Sequence, residues 1–159
     1  MHLSAMRRTL ILLAPVTGTV RSMGEVPDPV FAGEIVGPGL AIDPARRGVI
    51  TAIAPLGGTI VKLHPHAFVI QTPDSRGALV HLGLDTVQLA GAGFTMHVHE
   101  GDVVAAGDIV ISWDPAEIEA GGRSPVCPVV ALQGEPGSVT PLAAPGTIVR
   151  AGEPLFRWA

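Results

Sequence analysis

Ala14-Pro-Val-Thr-Gly-Thr-Val20 recurs as Ala54-Pro-Leu-Gly-Gly-Thr-Ile60, forty residues later in the chain. A second pair of segments, residues 101–110 and 146–155, lies forty-five residues apart, and each carries two glycines six residues apart. Each unit is typical of a short strand interrupted by a turn, and it is too short to bury an apolar face alone. Two copies packed face to face can do so. The repeats therefore predict an all-β fold: an antiparallel β-sandwich or barrel with internal pseudo-duplication and only short helices.

The composition indicates many short strands within one domain. The chain has 159 residues, of which 47% are apolar and 15% charged, and it contains 20 glycines and 15 prolines. A domain of this length buries roughly 68–70% of its unfolded surface without a metal or a disulfide. We expect one domain over residues 10–159, after a poorly ordered extension at residues 1–9. Helical patterns are brief, near residues 43–46 and 114–119, and the second begins with an Asp-Pro cap.

Charge and cysteine content argue against several classes of function. The net charge is −4 and no Lys/Arg cluster is present, which argues against a nucleic-acid partner. Cys127 is the single cysteine, so we expect a buried apolar residue in a reducing compartment. The apolar run before Pro15 mimics a signal peptide, but it is short and lacks a cleavage site. No stretch approaches the roughly 20 apolar residues that span a bilayer, so we expect no membrane insertion. We expect a cytoplasmic location and, from the length of 159 residues, a free-standing subunit.

Two histidines flank a predicted β-hairpin. His66 and His81 lie on either side of the turn-forming stretch Gln71-Thr-Pro-Asp-Ser-Arg-Gly77, between two apolar runs. A loop of residues 71–76 sets Ile70 opposite Gly77 and His66 opposite His81. Directly opposed residues have Cβ atoms roughly 4.5–5.5 Å apart, so the two imidazoles would meet on one face. A slip of one residue would turn them to different faces, leaving two unrelated strand histidines.

Six segments of the chain, taken in order, resemble one known family. The longest is Val80-His-Leu-Gly-Leu-Asp-Thr-Val-Gln-Leu89 followed by Gly91-Ala-Gly-Phe94. The other five are residues 14–18, 25–32, 37–42, 54–60 and 100–108. Together they resemble the glucose-type enzyme IIA family of the bacterial phosphotransferase system, and the resemblance extends over about residues 10–157.

The resemblance implies a phosphoryl-relay function. His81 takes the position of the family's phospho-acceptor, which bonds phosphate through Nε2, and Gly83 would supply the carbonyl that holds Nδ1–H. His66 takes the position of the supporting histidine, which donates to the phosphoryl oxygens. The implied donor is HPr, and the implied acceptor is the IIB domain of a glucose- or N-acetylglucosamine-type membrane permease. Because the donor is itself a phosphohistidine, no cofactor is required.

The resemblance also suggests residues around the histidine pair. Phe31, Val36 and Leu79 resemble the apolar ring on which the family's partners dock, although Phe31 could equally be a core residue. Asp85, four residues after the acceptor, could keep phosphate out of wrong poses or meet an arginine of a partner. Alternatively, Asp85 is a turn residue whose side chain satisfies its own backbone.

The chain departs from the family at several positions. The family often has Thr where this chain has His64, which could add a hydrogen-bond donor or a metal ligand, or be an exposed turn residue. Pro38 replaces an aspartate beside the site and could alter the choice of partner. His97 and His99 form a second His-x-His, which we interpret as solvated.

These departures leave alternative functions open. Two His-x-His pairs around His81 could hold zinc in a hydrolase of lysostaphin-type architecture, although a hydrolytic zinc needs three protein ligands. In a milder version, His66 and His81 capture adventitious or regulatory zinc. A regulatory binding module without relay activity is a further class. The presence of both His66 and His81 argues against it, but His64 and Pro38 leave it open. The sequence does not indicate the sugar, the oligomeric state or any regulation by the unphosphorylated form.

Overall fold

The computed structural model describes residues 8–159, and this part of the chain forms short β-strands joined by turns and two small helices. The strands are β1 (Leu10–Leu13), β2 (Gly18–Ser22), β3 (Gly39–Pro44), β4 (Ile50–Ile53), β5 (Gly58–His64), β6 (Ala67–Gln71), β7 (Gly77–His81), β8 (Thr95–Met96), β9 (Val103–Val104), β10 (Ile109–Trp113), β11 (Cys127–Ala131), β12 (Val139–Pro141), β13 (Ile148–Val149) and β14 (Pro154–Trp158). The helices are α1 (Pro29–Ala32) and α2 (Pro115–Ala120), and 3-10 turns cover Met23–Glu25 and Thr86–Leu89.

The strands form three antiparallel sheets. The largest has the order β13-β2-β3-β11-β7-β6-β5-β9, and the two smaller sheets have the orders β1-β14-β12 and β4-β10-β8. The main core joins residues of all three sheets, from Leu12 and Ile111 in the small sheets to Ile42 and Phe68 in the large one. The large sheet is open and ends in a two-residue strand at each edge. The sandwich form of the prediction is therefore confirmed, rather than the closed one.

The predicted duplication is visible in the topology. Strands β1, β2, β13 and β14 of one half correspond to β4, β5, β9 and β10 of the other: β14 pairs with β1 as β10 pairs with β4, and β13 pairs with β2 as β9 pairs with β5. The halves are tied by reciprocal hydrogen bonds. The amide of Leu13 donates to the carbonyl of Pro55 (2.8 Å), and the amide of Ile53 donates to the carbonyl of Pro15 (3.0 Å).

A second, smaller apolar cluster covers the outer face of the large sheet. Along β7, Ala78 and Val80 belong to the main core, whereas Leu79 and His81 point the other way because side chains alternate along a strand. The elements between β2 and β3 cover that outer face. Together with residues of β3 and β11 and of the loops next to β7 and β11, they form the second cluster: Met23, Val26, Phe31, Ala41, Leu84, Val126 and Val130. This covering layer is what positions the site. Cys127 is buried in the main core, as expected.

One predicted helix is present and the other is wrong. Helix α2 begins after Asp114, whose carboxylate accepts a hydrogen bond from the Ala116 amide at 3.0 Å. Residues 43–44 instead belong to β3, where Asp43 pairs with Thr19, because tertiary pairing overrides the local helical pattern. Helix α1 was not predicted, although its Asp-Pro start at residues 28–29 is the same signature that identified α2.

Most of the N-terminal extension predicted at residues 1–9 lies outside the described residues. Arg8 and Thr9 are exposed and precede β1. Among residues 8–159, no helix has both the length and the apolar character that crossing a membrane requires.

Candidate active site

The β6–β7 hairpin forms as predicted, but its register is shifted by one residue. Gln71 pairs with Gly77, so the loop contains the five residues 72–76, and the amide of Thr72 donates to the carbonyl of Arg76 at 2.9 Å. The Thr72 hydroxyl also accepts the Arg76 amide at 3.2 Å. This local closure stabilises a loop one residue shorter than the one predicted. His81 consequently pairs with Ala67, and the predicted pairing with His66 is wrong.

The two imidazoles meet nevertheless. Their ring centroids are 5.1 Å apart and the ring planes are inclined by 69°. His66 lies in the turn between β5 and β6, one residue before the first strand residue of β6, so the alternation of the strand does not set the direction of its side chain. Its carbonyl accepts a hydrogen bond from the Leu82 amide at 2.8 Å, which fixes the turn beside the end of β7.

The loop after β7 presents a carbonyl to the His81 ring. Nδ1 of His81 lies 2.6 Å from the carbonyl oxygen of Gly83. A carbonyl only accepts, so Nδ1 carries the proton and the lone pair is on Nε2. Gly83 has φ +80°, and a Cβ there would lie 2.8 Å from Cγ2 of Thr86 and 3.1 Å from the carbonyl oxygen of Ser124. Only glycine fits this position, and the ring orientation depends on it.

A third imidazole extends the group. His64, the last residue of β5, pairs with Ala67, which in turn pairs with His81 on the next strand. The His64 ring is exposed and stacks on the His66 ring with a centroid distance of 5.7 Å and an interplanar angle of 25°. His64 is therefore exposed, as one interpretation of the sequence held, but it also contacts the histidine pair through His66.

The predicted docking residues occupy different depths. Phe31 is only 8% exposed and belongs to the second apolar cluster, and its ring meets the His81 ring edge-on at 5.3 Å and 60°. Val36 and Leu79 are half-buried against the same cluster. Phe31 is thus a core residue. A docking role for Phe31, Val36 and Leu79 stays a prediction.

Known proteins resemble this chain in sequence and in structure. The model of the family described as "phosphoenolpyruvate-dependent sugar phosphotransferase system, EIIA 1" matches residues 10–136. The chain belongs to this family. It is 45% identical to the glucose-specific EIIA component of Bacillus cereus over 121 residues, which are 75% of this chain and 72% of that protein. The solved glucose permease IIA of Mycoplasma capricolum matches with a TM-score of 0.83 and 32% identity, covering 96% of this chain and 97% of that one.

Other relatives carry the EIIA segment within larger proteins. The N-acetylglucosamine-specific EIICBA component of Escherichia coli is 38% identical over 147 residues, which are 91% of this chain and 22% of that protein. As an EIIA protein, the chain is a phosphotransferase component that relays phosphoryl groups in a sugar phosphotransferase system.

Both site imidazoles of this EIIA chain have lowered pKa values. Burial is the main reason that the pKa of His66 lies at about 4 rather than 6.5, and the neighbouring imidazoles contribute. Burial also lowers the pKa of His81. The Gly83 hydrogen bond opposes that shift, and so do the negative charges of Asp28 and Asp85. Because both pKa values lie below 6.5, both rings are mainly neutral near pH 7.

Two carboxylates from different elements act electrostatically on His81. Asp85 precedes the 3-10 turn Thr86–Leu89, is exposed, and makes no capping hydrogen bond with its side chain. It therefore does not satisfy its own backbone in the way that one interpretation proposed. Asp28 caps α1 by accepting a hydrogen bond from the Val30 amide at 2.9 Å. Sequence reasoning missed Asp28, although the Asp-Pro cap signature could have identified it.

Three exposed aliphatic residues lie in the segments next to the site, and the sequence analysis did not single them out. Val30 on α1, Ile35 just after it and Val87 in the 3-10 turn after Asp85 are exposed, and Ile35 is the most exposed of the three at 73%. Scattered surface aliphatics are common, but these three lie in the two segments that flank His81. They belong with Val36 and Leu79 as candidates for the docking surface.

His97 and His99, the other histidines among residues 8–159, lie after β8. His97 is exposed, with Nε2 2.6 Å from Oγ of Ser112, and the His99 side chain is 93% exposed. Both are solvated, as predicted. Within residues 8–159, no group of three or more His, Cys, Asp or Glu side chains is arranged to hold a metal ion. The zinc-hydrolase alternative and zinc capture by His66 and His81 therefore gain no support.

Proposed function

We propose that His81 is the phospho-acceptor of this protein and that Nε2 is the atom that bonds phosphorus. The contact between Nδ1 and the Gly83 carbonyl supports this assignment, because it leaves the lone pair on Nε2. The lowered pKa of His81 supports it as well, since an unprotonated imidazole is the nucleophile. The single observation that carries the proposal is this oriented, neutral ring beside a second imidazole, within a protein of the EIIA family.

His66 stabilises the phosphoryl group in this proposal. A neutral imidazole retains one N–H, which can donate to a phosphoryl oxygen on the adjacent ring. During transfer, the P–N bond of the donor phosphohistidine breaks as a P–N bond to Nε2 of His81 forms, and the donor ring recovers its lone pair. Such a transfer depends mainly on alignment and on stabilising the equatorial oxygens.

We further propose that the donor is HPr and that the acceptor is the IIB domain of a membrane sugar permease. The fusion of this segment to permease parts in the EIICBA relatives supports the second partner. The relatives' names point to glucose or N-acetylglucosamine as the sugar. Residues 10–159 would act as one enzyme IIA unit in the cytoplasm, where both partners present their phosphoryl-transfer residues. Asp85 and the exposed aliphatic residues would contact these partners.

Single substitutions test the assignment. The protein is incubated with phosphoenolpyruvate, enzyme I and HPr, and the label is identified as an acid-labile, base-stable phosphate. We expect His81→Ala to take up no phosphate. We expect His66→Gln to accept phosphate from HPr but to pass it to the IIB domain slowly. Uptake of label by the His81→Ala protein would disprove the assignment.

A further inference from the structure

Within the part of the chain that the structure describes, the His66 ring has no hydrogen bond equivalent to the one between the His81 ring and the Gly83 carbonyl. Its backbone is fixed, because the carbonyl of His66 accepts the Leu82 amide at 2.8 Å. Among residues 8–159, however, no side chain or backbone group forms a hydrogen bond with a ring nitrogen of His66. The ring sits in a turn, where strand alternation does not set its direction. Contacts with its neighbours must therefore determine how it faces His81.

The geometry of the three strands explains which neighbours these are. His64, Ala67 and His81 lie in one row across β5, β6 and β7. Adjacent strands are roughly 4.7–4.9 Å apart, so the backbones at His64 and His81 are separated by about 9–10 Å. Between them Ala67 contributes only a methyl group. The His66 ring fills this gap, with centroids 5.7 Å from His64 and 5.1 Å from His81.

We infer that His64 is a positioning residue, whose ring holds the His66 ring in the orientation that faces the acceptor. This inference rests on the proposed roles of His81 and His66. The His66 ring makes a near-parallel stack with His64, at an interplanar angle of 25°, and an edge-on contact with His81, at 69°, and these two contacts restrict its rotation. A ring already oriented needs no ordering when phosphate arrives, and orientation is one of the two main contributions that a protein makes to phosphoryl transfer.

Stacking, rather than hydrogen bonding, is the property of His64 that matters. The His64 side chain is exposed, and its contact with the His66 ring is a stack with centroids 5.7 Å apart. A flat ring without donors should therefore replace it, whereas a donor without a ring should not.

Three substitutions of one residue separate these properties. We expect His64→Ala to pass phosphate from the protein to the IIB domain roughly 10–100-fold more slowly, since small misplacements of a reacting group have effects of that order. His64→Asn, which keeps donors but loses the ring, should be equally slow. His64→Phe, which keeps the flat ring, should restore transfer to within about threefold of the original protein. Acceptance of phosphate from HPr and thermal stability should remain near those of the original protein.

Exposed His99 provides the matched control. His99→Ala removes an imidazole whose side chain is 93% exposed, and it should change nothing. Transfer by His64→Ala at the original rate would overturn the inference. So would His64→Phe as slow as His64→Ala, or His64→Asn as fast as the original protein.

A second measurement does not depend on phosphate. In the unphosphorylated protein, the nuclear Overhauser effects between the ring protons of His66 and His81 should weaken in His64→Ala but not in His64→Phe, since they report the distance between the two rings. Unchanged effects in His64→Ala would refute the positioning role even if His81 proves not to be the acceptor. Conversely, a shifted ring in a protein that takes up no phosphate would support the positioning role while refuting the proposed function.

Discussion

Replacing Gly83 by alanine tests how the backbone controls the His81 ring. Gly83 has φ +80°, a left-handed conformation that costs a non-glycine residue roughly 1–2 kcal/mol. The new Cβ would also lie 2.8 Å from Cγ2 of Thr86 and 3.1 Å from the Ser124 carbonyl oxygen. Overpacking of this kind costs about 1–3 kcal/mol, because neighbours must move. We expect a total loss of about 3–4 kcal/mol in the free energy of unfolding.

Gly107→Ala is the matched control for this substitution. Gly107 also has a left-handed φ, +92°, but a Cβ there meets no atom within 4 Å. It shares the backbone cost of Gly83→Ala without the clash, so the two variants should differ by about 2 kcal/mol. For a chain of this size, that difference corresponds to roughly 4–8 °C in the midpoint of thermal unfolding. Circular dichroism on heating measures it.

The functional consequence follows from the hydrogen bond to His81. Relief of the clash must move the Gly83 carbonyl, which lies 2.6 Å from Nδ1 of His81. Without the Gly83 carbonyl as a hydrogen-bond partner, the His81 ring can rotate and change tautomer. The rate of phosphate acceptance from HPr should therefore fall by roughly 10–100-fold. Gly107→Ala should accept phosphate normally, and nitrogen NMR reports the tautomer directly. If Gly83→Ala is clearly destabilised yet accepts phosphate at the original rate, the carbonyl does not control the ring and the reasoning is wrong.

Three further predictions concern charge. In an NMR titration, His66 should titrate near pH 4 and His81 below pH 6.5. Because the rings bind protons more readily in the unfolded protein, the free energy of unfolding should fall as the pH drops from 6.5 to 4. Titration of either ring above pH 6.5 would contradict this. Asp85→Asn should lower the pKa of His81 further, because the negative charge of Asp85 raises it. An upward shift of the His81 pKa in the same titration would count against this electrostatic interaction. Arg76→Ala should destabilise the protein by about 2–4 kcal/mol in urea unfolding. Buried Arg76 places its guanidinium 5.4 Å from the centroid of the Trp158 ring and donates a hydrogen bond to the backbone carbonyl of Trp158. A loss below about 1 kcal/mol would refute this.

The sequence predicted the parts of the fold that depend on local sequence patterns. The two repeats specify equivalent strands, because each repeat carries its own glycine turns and apolar alternation. The start of α2 is equally local, since Asp114 caps the Ala116 amide. The predicted helix near Asp43 failed because Asp43 is held by pairing with Thr19, a residue distant in the chain. Pairing across strands depends on the whole sheet and leaves little trace in the local sequence.

The site shows the same division between local and distant causes. The hairpin was predictable, but its register depended on the Thr72 side chain, whose hydroxyl accepts the Arg76 amide and closes a five-residue loop. A shift of one residue ought to have separated the two histidines. They stay together because His66 is a turn residue rather than a strand residue. The contact between the rings was therefore predicted correctly from an incorrect pairing.

The site arises where the two otherwise equivalent halves differ. One half joins β5 to β6 by a turn of two residues, 65 and 66, and this turn supplies His66. The other half joins β2 to β3 by residues 23–38, which fold back over the outer face of the large sheet and bring the Phe31 ring to 5.3 Å from His81. The paired strands make a rigid and nearly symmetric scaffold, whereas the connections are free to differ because they add few cross-strand contacts. His81, at the end of β7 near the centre of the sheet, is reached by both connections.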